Sequence, residues 1–302
     1  MSQLDRRTFV KAALAAAAVG SVPVIDLLAA PVMAAEMPAL AVRKGTDIPM
    51  LVRDTLGALG GMGKFVKAGQ TVVVKPNIGW DRTVELAANT HPEVVRVLVE
   101  LCLEAGAKKV RLFDRTCNDP RRCYTQSGIA AAIANVKSDR VELEHMDPRG
   151  YREVAIQGGR FFDRWEFYQP ALEADVFINV PIAKHHSISR LTLAMKNLMG
   201  VIGGSRGKLH TDIAESLTDI NSVLPSTLTV IDATRILVAN GPQGGRPEDV
   251  RRLDTLIASP DIVAADAYAA TLFSLKPEEV PSIVAGARRG LGVMDLKRVR
   301  MV

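Results

Sequence analysis

A chain of 302 residues that is 48% hydrophobic, 24% charged and only 5% aromatic has globular composition, which excludes a wholly disordered or collagen-like protein. Its 38 Lys and Arg stand against 33 Asp and Glu, a net charge of +5 that is too mild to argue for nucleic acid as a partner. Three cysteines are too few to staple a scaffold, and a chain of this length can bury a core without them.

Residues 1–35 read as a processing segment, set apart from a single α/β domain over residues 36–302. Arg6-Arg7-Thr8-Phe9-Val10-Lys11 precedes an alanine-rich stretch from Ala12 to Val19, and small residues around Val32 to Ala35 offer a cleavage site. The paired arginines, the phenylalanine two positions on and the lysine after it resemble a twin-arginine export signal. Asp26 and two prolines interrupt the apolar run, so no stable membrane span is expected in the mature protein. The implied partner is the twin-arginine export machinery, and the implied location is periplasmic or otherwise extracytoplasmic.

Beyond that leader, short β-rich runs alternate with helical ones. Thr71 to Lys75 reads as a buried strand, Pro92 to Ala105 as a helix with Thr90 or His91 near its cap, and Val110 to Asp114 as the next strand. A short helix is expected over Ser127 to Val136 and a strand over Val141 to Leu143, and residues 145–170 leave the main sheet. In the second half the pattern gives a strand over Asp175 to Val180 and helices over Leu191 to Ile202 and Asp212 to Val223. Strands over Leu228 to Asp232 and Leu256 to Ala258 and a helix over Ile262 to Phe273 follow. This alternation predicts an α/β fold with a mostly parallel sheet and helices on both faces, with two lobes around a cleft as a variant.

Several strands run into polar residues at their C-terminal ends: Lys75-Pro76-Asn77, Asp114-Arg115, the stretch from Asn179 to Lys184-His185-His186, and Asp232. In a parallel sheet those ends share one edge, where α/β proteins place ligands. Neighbouring side chains on an extended segment point to opposite sides, so at most two of Lys184, His185 and His186 share a pocket readily. Histidine moves protons near neutral pH or ligates a metal, and lysine holds a carboxylate or phosphate. His91, His185, His186 and His210 all fall near presumed strand ends. Thr192, Lys196 and Gly200 fall four apart on one helical face, with Asn197 beside them, and the glycine-rich basic turn that follows leads to His210. Cys117 and Cys123 match neither a zinc ribbon nor a ferredoxin run; a disulfide, a thiolate pair for a metal and free thiols all remain open. Arg115 belongs to the same loop region and could clamp an anion.

Lys75-Pro76-Asn77, the run from Asn89 to Val95, Asn179-Val180-Pro181 with Lys184-His185-His186, the run from Leu193 to Gly200, Ile231-Asp232-Ala233, Gly241-Pro242 and Asp261 to Asp266 together resemble the domain of unknown function 362 family, over most of residues 70–275. Many members carry a ferredoxin-type cysteine run that binds an iron–sulfur cluster; this chain lacks it, so cluster binding is not implied. A more distant resemblance is to the nickel-dependent lactate racemase fold, which implies a basic, histidine-containing site between α/β lobes and hydride movement through a pincer cofactor. The expected function is an enzyme of isomerase or oxidoreductase type acting on a small anionic, hydroxy- or keto-acid-like substrate by proton or hydride transfer, with a divalent metal as the candidate cofactor. Lys184, His185, His186, Lys196 and Asp232 are the catalytic candidates, and Lys75, Asn77, His91, Arg115, Asn197 and His210 the substrate-binding ones. The alternatives are a metal or iron–sulfur redox protein using Cys117 and Cys123, and a non-catalytic periplasmic ligand-binding or accessory protein.

Overall fold

The computed structural model describes residues 37–302, so the paired-arginine leader lies outside the described residues. The strands are β1 (Ala39–Lys44), β2 (Thr71–Pro76), β3 (Lys109–Leu112), β4 (Val141–Leu143), β5 (Tyr151–Ala155), β6 (Arg164–Tyr168), β7 (Val176–Val180), β8 (Ile182–His186), β9 (Arg190–Thr192), β10 (Leu228–Leu237), β11 (Val250–Ser259) and β12 (Arg300–Met301). The helices are α1 (Ile48–Ala58), α2 (Pro92–Glu104), α3 (Pro120–Gln126), α4 (Ile129–Ala134), α5 (Gln169–Glu173), α6 (Ala194–Asn197), α7 (Ile213–Val223), α8 (Ile262–Thr271) and α9 (Pro281–Arg288). Among the described residues no helix is long and apolar enough to cross a membrane.

All strands but β5 and β6 join one ten-stranded sheet, along the order β12-β1-β11-β10-β7-β2-β3-β4 with β8 and β9 branching from β10. The sheet is continuous along this path. Its middle is parallel, from β10 through β7, β2 and β3 to β4. Both faces are covered. Val72 and Val74 of β2 point into a core shared with α1, α2 and α4, whereas Val73 points into the core shared with α6 to α9. Such a doubly buried strand reads as a continuous apolar run, which is why it is conspicuous in the sequence. The segment 145–170 does leave the main sheet, as the β5–β6 hairpin.

Three local expectations change. β10 and β11 each run to ten residues, longer than their apolar stretches, because their paired outer halves carry Arg235, Arg251, Arg252 and Asp254 on a half-open antiparallel ladder. The helix expected from Leu191 to Ile202 is instead strand β9, the single turn α6 and a 3-10 turn over Leu198–Val201. Its apolar residues surround the backbone because the whole segment is buried, and a pattern apolar all round carries no helical period to read. His185 and His186 lie within β8 rather than in a loop after a strand.

The short α6 survives because of one buried carboxylate. Asp266, on α8, accepts the backbone N–H groups of Ala194 at 2.7 Å and Met195 at 3.0 Å, orphan donors at the start of α6. Burial pushes its carboxyl up to about 7. This contact fixes where Lys196 and Asn197 emerge. Asp266→Ala should lower stability by about 3 kcal/mol by stranding two buried donors, and Asp266→Asn by about half that, as read from denaturant midpoints.

Candidate functional site

Three parallel strands deliver polar residues to one edge. β2 ends at Lys75-Pro76 with Asn77 just beyond, Asp114 follows β3, and Asn179 is the penultimate residue of β7. Pro181 then separates β7 from β8, and the two strands pair with successive lengths of β10. The continuation brings Lys184 and His186 to the same edge. Lys75, Asn77, Asp114, Lys184 and His186, together with Thr192, Lys196, Asn197, Met199, Arg206 and His210, line a cleft of about 390 Å³.

The floor of the cleft is a locked polar network. Lys75 has no exposed surface; its Nζ lies 2.8 Å from Asp114 Oδ1 and donates to Asn197 Oδ1 at 2.9 Å. Burial pulls its proton affinity down, and the Asp114 carboxylate opposes that loss. Asp114 Oδ2 accepts the Ile78 backbone N–H at 2.6 Å. Asn197 in turn takes a bond from Asn77 Nδ2 at 3.1 Å and donates to Asn179 Oδ1 at 2.8 Å. Gly200 closes over this pair. A Cβ there would stand 1.8 Å from Asp114 Oδ1 and 2.5 Å from Lys75 Nζ, so only glycine permits the approach.

Above the floor the charges are one-sided. Lys184 is 1% exposed, and its Nζ donates to Asn77 Oδ1 at 3.1 Å and Ala88 O at 2.5 Å. Burial first, then repulsion from Lys196 and Lys75, lowers it to about 7. Lys196 approaches His210 Nε2 at 3.4 Å and Met199 Sδ at 3.3 Å, and burial lowers it to about 8. Arg206 donates to the carbonyls of Arg115 at 2.7 Å and Thr116 at 2.8 Å, and Arg115 to those of Ile202 and Gly204. Backbone carbonyls thus hold both guanidinium groups without neutralising them. His186 accepts from the Ile188 and Ser189 backbone at Nδ1, which leaves the other ring nitrogen as its N–H donor when neutral. Burial, then Lys196, pushes it down to about 3, and its ring stacks on His210 at 5.7 Å.

Of the residues expected at the site, Lys75, Asn77, Arg115, Cys117, Lys184, His186, Lys196, Asn197 and His210 line this cleft. Four others, His185, Asp232, His91 and Cys123, do not. His185 points to the opposite side of β8, as strand alternation requires, and accepts the Gly241 N–H at Nδ1, 3.1 Å away. Asp232 is fully buried and accepts from the His91 backbone N–H and from Thr234, a lock between β10 and the start of α2. His91 itself is the N-cap of α2, its Nδ1 accepting the Glu93 N–H at 3.1 Å. Among the described residues, Cys117 and Cys123, the candidate metal ligands, gather no further ligand around them. Both are free thiols, Cys123 buried with its Sγ toward Gly79 O, and among the described residues no group of three or more His, Cys, Asp or Glu could hold a metal ion. A cleft lined by ammonium and guanidinium groups repels a divalent cation in any case.

Asp114, Asn179, Thr192, Gly200 and Arg206 belong to the site without having been assigned to it. Asp114 and Asn179 carried a usable signal, each being a polar residue at the end of an apolar strand. Gly200 was marked only by its spacing from Lys196 and Arg206 only by a glycine-rich basic turn, because their roles rest on contacts with Thr116, Asp114 and Lys75, more than 80 residues away.

Gly200→Ala should therefore prise Lys75 from Asp114 and lower the unfolding temperature by several degrees in a thermal melt. A second outcome concerns pH. The folded protein releases the Lys184 proton near 7 and the unfolded chain near 10.5, so its contribution to stability rises as pH climbs through that window. Unfolding midpoints at pH 7 and pH 10 should show a gain in the ligand-free protein that Lys184→Met reduces.

Comparison with known proteins places this geometry in a family. The model of a domain of unknown function, DUF362, matches residues 72–271, a span that contains the cleft residues described above. The thylakoid-associated protein sll1697 of Synechocystis sp. is 30% identical over 248 residues, covering 80% of this chain and 74% of that protein. Among solved structures, the lactate racemase apoprotein of Thermoanaerobacterium thermosaccharolyticum aligns with a TM-score of 0.44 at 9% identity, over 79% of this chain and 57% of that one. This chain thus spans little more than half the length of that enzyme. By the extent of the family match, the chain belongs to the DUF362 family.

Proposed function

We propose that this protein is an extracytoplasmic enzyme that binds a small organic anion of hydroxy- or keto-acid type in the cationic cleft and transfers a proton next to its carboxylate. The observation that carries this reading is the charge imbalance: Lys75, Lys184, Lys196, Arg115 and Arg206 line the cleft against the single carboxylate of Asp114, which Lys75 already engages. Burying cations without counter-charge costs several kcal/mol each unless they lose their protons or meet an anion. An incoming carboxylate supplies that charge, and Lys196 and Arg206 are placed to receive it. The paired-arginine leader is what supports export.

Lys184 is the proton-transfer group. A neutral lysine amine has two N–H bonds, and Asn77 Oδ1 and Ala88 O accept both, so the lone pair is free to take a proton. A base that titrates near 7 is matched to its task at neutral pH. Binding an anion nearby raises its proton affinity again, so the proton it takes is held. His186 offers its remaining ring N–H to a developing oxyanion, and Asn77 and Asn197 keep Lys184 and Lys75 in register. The residues present do not fit a divalent metal.

Deuterium wash-in at C2 of 2-hydroxy acids and at C3 of 2-keto acids, followed by NMR in D₂O, tests the chemistry. Lys184→Met should abolish exchange while the acid still binds, and Lys196→Met should weaken binding at least about tenfold, as loss of a partner for a desolvated charge does. His186→Ala should slow exchange more than it weakens binding. Exchange that persists in Lys184→Met, or undiminished binding in Lys196→Met, would overturn the assignment.

A further inference from the structure

Thr192 is the cleft residue that the proton-transfer chemistry leaves unused. Its side chain is 5% exposed, it lines the cleft, and its Oγ1 has no hydrogen-bond partner. It sits directly across from Lys184 in the antiparallel β8–β9 register, and cross-strand partners project from the same face. The surrounding polar groups are already engaged: Asn77 Oδ1 with Lys184, Asn197 Oδ1 with Lys75 and Asn77, Asn197 Nδ2 with Asn179. In the ligand-free protein a buried hydroxyl of this kind is a net cost. Valine has nearly the same shape, suits a strand equally well and avoids the cost. Threonine is therefore explained by something that enters the cleft.

We infer that Thr192 Oγ1, across the strand pair from Lys184, forms a subsite for a hydroxyl group of the bound anion, an inference that rests on the cleft being an organic-anion site. A hydroxyl satisfies Thr192 in either direction, by accepting from its O–H or by donating to its oxygen, and leaves the Lys184 lone pair for the proton it takes. A keto oxygen can only accept, and a ligand with hydrogen at that position leaves Thr192 as unpaired as before. The subsite therefore selects the hydroxy acid over its deoxy counterpart, because a site built to pair a hydroxyl is left with buried unpaired groups when the hydroxyl is missing. Thr192 is a positioning and specificity residue in this scheme and takes no proton itself.

Malate and succinate are dianions that differ by one hydroxyl, and their binding to the full chain can be compared by calorimetry beside thermal melts of the ligand-free protein. The unaltered protein should prefer malate by about tenfold, the effect of one satisfied buried hydrogen bond. Thr192→Val should bring the two affinities together, leave succinate binding unchanged and raise the ligand-free unfolding temperature. Thr192→Ser should keep the preference. A lower unfolding temperature for ligand-free Thr192→Val would mark a structural hydroxyl and overturn the inference, as would a malate preference that survives in that variant. Equal binding of both dianions by the unaltered protein would remove the hydroxyl subsite and leave the anion site standing, whereas binding of neither would remove both.

Discussion

A lysine ammonium with no exposed surface persists in a protein interior only where its charge is met, and in this molecule that condition organises the whole sheet edge. Lys75 reaches Asp114 across the gap between β2 and β3, and Gly200 lets the backbone after α6 close over the pair. Asn197 then ties Lys75 to Asn77 and Asn179, so three strands and the α6 turn share one set of hydrogen bonds. Breaking a buried pair of this kind by removing one partner is far costlier than replacing both, because the remaining charge stays in the interior. The neighbouring groups are held to the same geometry.

That rigidity matters because the remaining cations are uncompensated. Lys184 and Lys196 meet neutral acceptors and each other's fields, and burial lowers their proton affinity toward neutrality. The protein therefore carries an electrostatic strain that the proposed anion would relieve, and the same strain places a lysine amine near physiological pH. In the proposed function, binding and acid–base competence share one physical origin, the desolvation of amines around a fixed polar floor. Histidine plays a smaller part than its reputation as a proton carrier would give it: His186 is held down to about 3 by burial and by Lys196, so it acts as a neutral donor.

The parallel core strands were legible because burial on both faces leaves apolar runs, and residues at their C-terminal ends then pointed to the correct edge. Lys75, Asn77 and Lys184 were singled out in this way, and Lys196 and Asn197 through a spacing of four read as one helical face. His91 and Asp232 were misassigned for an equally physical reason. Polar residues at strand and helix ends serve as caps and locks as often as they serve ligands, and only the partner distinguishes the two: the Glu93 N–H for His91, the backbone of His91 and Thr234 for Asp232. The segment from Leu191 to Ile202 misled because complete burial erases periodicity, and a carboxylate 72 residues away decides where its one helical turn begins.

Local patterning was thus enough for the α/β class, the positions of the core strands along the chain and the positive character of one sheet edge, since these depend on hydropathy and charge that neighbouring residues carry along the chain. Which of those charges lie buried together, which side of β8 faces the cleft, and why Gly200 and Thr192 are what they are depended on the folded arrangement. Desolvation and close approach act between residues far apart in sequence, and they take a value only when the chain has brought those residues into contact.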